Sequence, residues 1–245
     1  MIYTIATQKG GTAKTTTAAV IAQAAAYRGK KALTIDLDPQ GNLSFATAAD
    51  ATRPGSYDLL HGTPAEDLKQ RSPQGLDTIP ASPNLQTEKT SAGSARRLQN
   101  ALAHIKDSYD VITIDTPATA GELQYNALQA ADRLIIVLEA DAYNIQSLYQ
   151  IAETTRQIQK SNPQLIIAGV MLTKYDGRAN FTRAMRERIE QTAAAMHIPF
   201  LGAVRQGIAI KEAAGLQVSL FEYAPKSKPA ADYLSIFDEL MKQEG

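Results

Sequence analysis

The sequence predicts an α/β fold, a doubly wound and mostly parallel sheet flanked by helices, and three observations carry that expectation. Apolar runs of strand length alternate with helix-favouring segments along all 245 residues, a rhythm that lays helices on both faces of a parallel sheet. Runs such as Ile2 to Ala6 and Leu165 to Leu172 are apolar at nearly every position, as strands covered on both faces must be. A glycine-rich turn separates the first strand from the first helix, at the edge where such sheets receive ligands.

Composition sets the limits. With 44 % hydrophobic residues the chain can fill the core of one large domain, expected to span 1–245. Cysteine is absent, which excludes a disulfide framework, a thiolate metal site and an iron–sulfur cluster. Lysine plus arginine and aspartate plus glutamate number 25 each, so any polyanion binding must come from a local patch. No apolar run approaches the roughly 20 residues of a spanning helix. The chain opens directly on a strand, which leads us to expect no targeting leader and a cytoplasmic location.

The first turn, Thr7-Gln8-Lys9-Gly10-Gly11-Thr12-Ala13-Lys14-Thr15-Thr16-Thr17, has the make-up of a phosphate cradle. Gly10 and Gly11 let the backbone fold close around an anion, and the N–H groups through Thr12, Ala13 and the first helical turn can point at phosphate oxygens. Lys14 adds a full charge, and Thr15 places a hydroxyl where a Mg²⁺ ligand is needed beside a nucleoside triphosphate. The general pattern G-x-x-x-x-G-K-[ST] is not met, since Gln8 and Ala13 stand in its glycine places. A glycine at such a position often takes positive φ, where alanine costs roughly 1–2 kcal/mol.

The alanine-rich stretch Thr16 to Tyr27 reads as a helix that stops at Arg28-Gly29-Lys30. The next strand, from Lys31, closes on Asp36-Leu37-Asp38-Pro39-Gln40-Gly41-Asn42, which sets two carboxylates at a strand's carboxyl end. A short strand at Gly75 to Ala81 and an amphipathic helix over Arg96 to Ile105 follow. The lone residues His61 and His104 have no partners at ligand spacing. Tyr109 to Asp115 is an apolar strand ending on an acid that can hold a Mg²⁺-bound water opposite the cradle. Arg133 to Leu138 is a further strand. A long helix after it carries Ile145, Leu148, Ala152, Thr155 and Gln159 on one side, and Leu165 to Leu172 leads into Thr173-Lys174-Tyr175-Asp176. Phe181 to His197 reads as a helix, Pro199 to Val204 as the last strand, and Ala230 to Lys242 as a closing helix. The closing helix has an acidic polar side, which suits packing on the sheet better than a membrane surface.

The cradle matches a deviant form of the pattern, K-G-G-x-G-K-T-[ST], with a second lysine at Lys9, and differs from it at Ala13. Together with the D-x-D-P-Q-G-N string from Asp36, the Asp115-Thr116-Pro117-Ala118 string, Glu212-Ala213 and Ser227-Lys228, it resembles the ParA/Soj-type partition ATPases. Their P-loop NTPase fold of the ParA/MinD type is then the expected one. The resemblance implies ATP and Mg²⁺ as cofactors and a homodimer that sandwiches two nucleotides. It further implies sequence-independent binding of double-stranded DNA, a ParB-like centromere-binding partner that triggers hydrolysis, and a place on the nucleoid when ATP is bound. By motif match Lys9 crosses to the partner's nucleotide, Lys14 neutralises the β- and γ-phosphates and Thr16 reaches the α-phosphate. Thr15, Asp36 and Asp115 serve the metal and its water shell, Asp38 orients the attacking water, and Thr173 stands at the base-recognition position. DNA binding is expected from Arg205, Lys211, Lys226 and Lys228, set against Glu212 and Glu222. Two other readings share the fold: a metabolic ATP-dependent ligase or synthetase, and a MinD-like positioning ATPase.

Overall fold

The computed structural model describes residues 1–88 and 94–243. Eight strands form one sheet: β1 (Ile2–Ala6), β2 (Ala32–Asp36), β3 (Gln70–Arg71), β4 (Asp77–Ile79), β5 (Val111–Asp115), β6 (Arg133–Glu139), β7 (Ile166–Tyr175) and β8 (Phe200–Arg205). Their order is β3-β4-β2-β5-β1-β6-β7-β8, and every neighbouring pair is parallel except β3 with β4. The chain builds outward from β1 on one side, returns through β5, and then builds outward through β6 on the other. The reversal leaves a crevice at the carboxyl end of β1, where ligands enter such sheets.

Eleven α-helices accompany the strands among the described residues: α1 (Lys14–Tyr27), α2 (Asn42–Ala46), α3 (Ser56–Leu60), α4 (Ala65–Leu68), α5 (Arg97–Leu102), α6 (Glu122–Ala130), α7 (Tyr143–Gln159), α8 (Asn180–Ala195), α9 (Ile208–Gly215), α10 (Leu220–Tyr223) and α11 (Lys228–Lys242). They divide between the two faces, and the strand pleat explains the unbroken apolar runs. Alternate residues Ile2, Ile112, Ile114, Leu134 and Ile136 face a core closed by α3 to α8. Tyr3, Ile5, Val111, Ile135 and Val137 face a second core closed by α1, α10 and α11. Buried threonines in the strands find partners instead of water: Thr4 Oγ1 donates to the Ala127 carbonyl at 2.9 Å and Thr113 Oγ1 to that of Ala18 at 3.1 Å.

The alanines of α1 let it seat between the sheet and α11, whose Tyr233, Ile236, Phe237 and Leu240 complete that core. The acidic side of α11 is tied to the protein rather than free: Asp232 pairs with Arg205 and Asp238 with Arg28, each at 2.6 Å. Two expected boundaries shift. The helix expected over Arg96 to Ile105 is α-helical only at Arg97–Leu102, because the chain tightens into a 3₁₀ turn at Lys106–Ser108 to enter β5. β7 continues through Thr173, Lys174 and Tyr175 rather than ending before them. Its pairing with β8 is irregular between Leu172 and Tyr175, where Lys174 takes φ 50°. That break turns the Lys174 side chain toward the crevice.

Candidate nucleotide site

The turn after β1 wraps the amino end of α1 through two residues in the left-handed region, Gly11 at φ 79° and Ala13 at φ 63°. Position 13 therefore has the backbone expected of a glycine, and alanine bears the strain. Lys14 opens α1 with its side chain buried, and its Nζ curls back to within 3.4 Å of the Lys9 carbonyl. Burial lowers its pKa, while the charges of Asp115 and Asp38 pull the other way.

Neighbouring strand ends brace the turn from behind. The Thr173 hydroxyl donates to the Thr12 carbonyl at 2.9 Å and lies 3.3 Å from that of Leu138. Lys174 Nζ donates to the Gly11 carbonyl and pairs with Glu139 at 2.7 Å. Lys9 pairs with Asp141 at 2.5 Å and lies 5.9 Å from the centre of the Tyr143 ring. Asp141 in turn accepts from the backbone N–H groups of Tyr143 and Asn144, at 2.8 and 3.2 Å, so it joins the second lysine to the start of α7.

Two acids end adjacent strands. Asp36 of β2 and Asp115 of β5 are register partners, and both are fully buried. Asp36 Oδ2 accepts from the Ser44 N–H and hydroxyl at 2.8 and 2.7 Å, and Oδ1 from the Asp38 N–H at 3.1 Å. Burial still pushes its pKa up to about 6. Asp115 is raised well above the usual carboxylate range, by burial first and by the Asp36 charge second. Its Oδ1 accepts from the Thr116 N–H at 3.0 Å, but Oδ2 has no hydrogen-bond partner. The Thr15 side chain and Lys14 are near enough to pull its pKa down, with the Thr15 hydroxyl short of hydrogen-bonding geometry.

That orphaned oxygen is the observation that fits Mg²⁺. Hard oxygen donors suit the ion, and a nearby cation would relieve the repulsion between two buried carboxylates. No cluster of three or more metal-ligating acids, histidines or cysteines occurs among the described residues. Such a site is completed by phosphate and water rather than by a protein cage. Asp38 sits half-buried at the lip, with Oδ1 accepting from the Gln40 N–H at 3.0 Å.

Two clefts open from the turn. One of about 440 Å³ runs along α1 past Lys14, Asp38, Phe45, Ile210, Val218 and Leu220. A smaller one of about 220 Å³ lies between Thr16, Lys174, Arg205, Gly207, Ile210 and Tyr233. Helix α9, which walls both, went unread in the sequence; the only signal was the apolar Ile208-Ala209-Ile210 after Gly207. Thr173, expected at the base, has its hydroxyl occupied by the Thr12 and Leu138 carbonyls in this state.

The four residues expected at DNA differ among themselves. Arg205 is held by Asp232, which accepts from its guanidinium at 2.6 and 2.9 Å and from its backbone N–H at 2.9 Å. Lys211, Lys226 and Lys228 are exposed and form no ion pair among the described residues.

A family model described as an AAA domain matches residues 1–167. The chromosome-partitioning ATPase Soj of Thermus thermophilus is 31 % identical over 97 % of this chain and 94 % of its own. The sporulation initiation inhibitor protein Soj of Bacillus subtilis is 32 % identical over 98 % of this chain and 97 % of its own. A crystal structure of cobyrinic acid a,c-diamide synthase from Mycobacterium smegmatis, with bound ADP and magnesium, superposes with a TM-score of 0.85 at 28 % identity, over 99 % of this chain and 94 % of that one. Deviant cradle, paired strand-end acids and near full-length similarity agree: this chain is an ATPase and belongs to the ParA/Soj-type family of P-loop proteins.

Proposed function

We propose that this ATPase partitions DNA: with ATP and Mg²⁺ bound it forms a sandwich homodimer, holds duplex DNA without sequence preference, and releases it when a ParB-like partner speeds hydrolysis. The observation that carries the reading is Lys9. A lysine that served only its own turn would need no exposure, yet the Lys9 side chain is 35 % exposed and tethered by a single carboxylate, Asp141. Exchange of that carboxylate for a partner's phosphate is an ordinary trade of one anion for another.

In this scheme Lys14 and the N–H groups from Gly10 through Ala13 take the β- and γ-phosphates, and Thr16 takes the α-phosphate. Thr15, Asp36 and Asp115 hold the metal and its waters, and the ion supplies charge neutralisation at the phosphates. Asp38, at the open lip, orients the attacking water. The slot beside Lys174, Gly207 and Tyr233 takes the base, with Thr173 supporting the cradle behind it. DNA binding rests on Lys211, Lys226 and Lys228, doubled by the dimer's two-fold axis, with Arg205 contributing less because Asp232 already matches its charge. In the cell the protein is cytoplasmic and on the nucleoid while ATP is bound.

If about six phosphates are neutralised, DNA affinity falls with salt at a log–log slope of about −5. Filter binding across a salt series tests this. The expected result is ATP-dependent retention, with a shallower slope in Lys211→Ala and in the double variant Lys226→Ala/Lys228→Ala. An unchanged slope in both removes the patch.

The likeness to a diamide synthase favours one other reading, in which the phosphoryl group activates a small carboxylate. ATP turnover separates the two: stimulation by DNA and a DNA-bound partner supports partition, and stimulation by a small carboxylic acid supports synthesis.

A further inference from the structure

Across the Asp38 lip from the ATP crevice lies a third cleft, of about 440 Å³, between the segment after β2 and the segment after β5. Asp38, Pro39, Leu85, Pro117, Glu122 and Gln124 line it. Asp38 and Ala118 also line the cleft over the phosphate turn, so the two spaces meet where a terminal phosphate would stand. Gln124, in the first turn of α6, is completely buried, and neither atom of its amide has a hydrogen-bond partner among the described residues.

Buried amides are seldom left unpaired, and a neighbour on the same helix shows the usual arrangement. Asn126 donates to the Glu122 carbonyl and carboxylate, each at 3.2 Å, and accepts from the Leu98 N–H at 3.2 Å. Asn126 is a brace. Gln124 braces nothing, and among the described residues it is the one buried side-chain amide with both atoms unpaired.

We propose that Gln124 is a positioning residue for hydrolysis, its amide holding the attacking water from one side of the lip while Asp38 orients it from the other. A carboxamide suits the task because it offers a donor and an acceptor together and adds no charge to a cleft already lined by the carboxylates of Asp38 and Glu122. In the step itself the water oxygen bonds to the γ-phosphorus. The bond from that phosphorus to the bridging oxygen breaks with its electron pair going to ADP, and the water proton passes to the phosphate released. Gln124 gains and loses nothing; it sets the angle of approach.

The inference rests on the ATPase reading of the same crevice, and the test separates the two. Steady-state ATP turnover and thermal melting are measured for the full chain, Gln124→Met and Asn126→Met. For Gln124→Met the expected result is a kcat about ten- to a hundredfold lower, near the loss of one positioned hydrogen bond, with KM within about threefold and a melting temperature no lower than wild type, because the amide has no partner to lose. Asn126→Met should instead melt lower. An unchanged kcat in Gln124→Met, or a kcat that falls only in step with its melting temperature, overturns the proposal while leaving the ATPase reading intact. No turnover by wild type, even with DNA, overturns both. If the methionine variant does not fold, Gln124→Leu, close in volume and without polar atoms, carries the same expectation, and failure of both to fold contradicts an amide without structural partners.

Discussion

On the phosphate side of the crevice Lys14, Asp36 and Asp115 are buried in the ends of β2, β5 and α1. On the side proposed for the base, Lys174 and Arg205 are half-exposed and paired with Glu139 and Asp232 across the rim. The first group concentrates charge where water cannot screen it, and two of its members repel one another. The second spreads its charges into solvent, where each pair is screened and contributes little. The difference teaches where the protein is poised. The phosphate side is unfavourable by itself and, in the proposed function, is relieved by a cation and a polyphosphate, whereas the proposed base side is settled before any ligand arrives.

The largest expected break in this contrast is Lys14→Met. It leaves the two carboxylates without the buried cation beside them, and ATP affinity measured by calorimetry should fall by more than about a hundredfold, the equivalent of ~2.7 kcal/mol. A loss of less than tenfold would mean that the turn's N–H groups do the binding by themselves.

The second expectation concerns pH. Asp36 is raised to about 6 and Asp115 is raised well above the usual carboxylate range, so between about pH 4 and 6 the folded protein binds more protons than the unfolded chain. Stability of the nucleotide-free protein is therefore full below the unfolded value near pH 4 and is lost as pH rises through about 6, by on the order of 2–3 kcal/mol for Asp36. Melting curves across that range check the sign. Asp115→Asn should raise the melting temperature at pH 7 while weakening the Mg²⁺ dependence of ATP binding. A stability that grows from pH 4 to 7 would contradict the buried repulsion.

A smaller effect is expected at Ala13→Gly. Relief of the left-handed strain, roughly 1–2 kcal/mol, is offset by the greater freedom of glycine in the unfolded chain. The gain in stability should stay under about 1 kcal/mol, and ATP affinity should change less than tenfold. The smallest is Arg205→Gln on the proposed base side: with an exposed pair lost, stability should hold within about 1 kcal/mol and ATP affinity within about twofold of wild type. A tenfold loss there would show that the base side is as poised as the phosphate side.

Much of the fold was legible because burial on two faces leaves a mark in sequence. The apolar runs of β1, β5 and β6 read as interior strands, and those of β5 and β6 led to acids, Asp115 and Glu139, that lie by the crevice. The cradle was legible from its glycines and lysines, including the positive φ at Ala13. What sequence concealed was long-range pairing. Nothing adjacent to Arg205 announces that Asp232, a turn into α11, will take its charge, nor that Asp141 will hold Lys9 from 132 residues away. β3 was invisible for another reason: two residues at a sheet edge, Gln70 and Arg71, half-buried and exposed, have no apolar pattern to show. Gln124 looks like any helical glutamine until its unpaired amide is seen in place.

Lys9 carries the proposed function, so the most direct measurement is DNA retention by wild type and Lys9→Ala, each with and without ATP and Mg²⁺, alongside calorimetry of ATP binding. The account predicts that wild type retains duplex DNA only with ATP. Lys9→Ala should bind ATP within about tenfold of wild type yet retain no more DNA than the nucleotide-free protein. Equal retention by wild type with and without ATP, or normal ATP-dependent retention by Lys9→Ala, would contradict it.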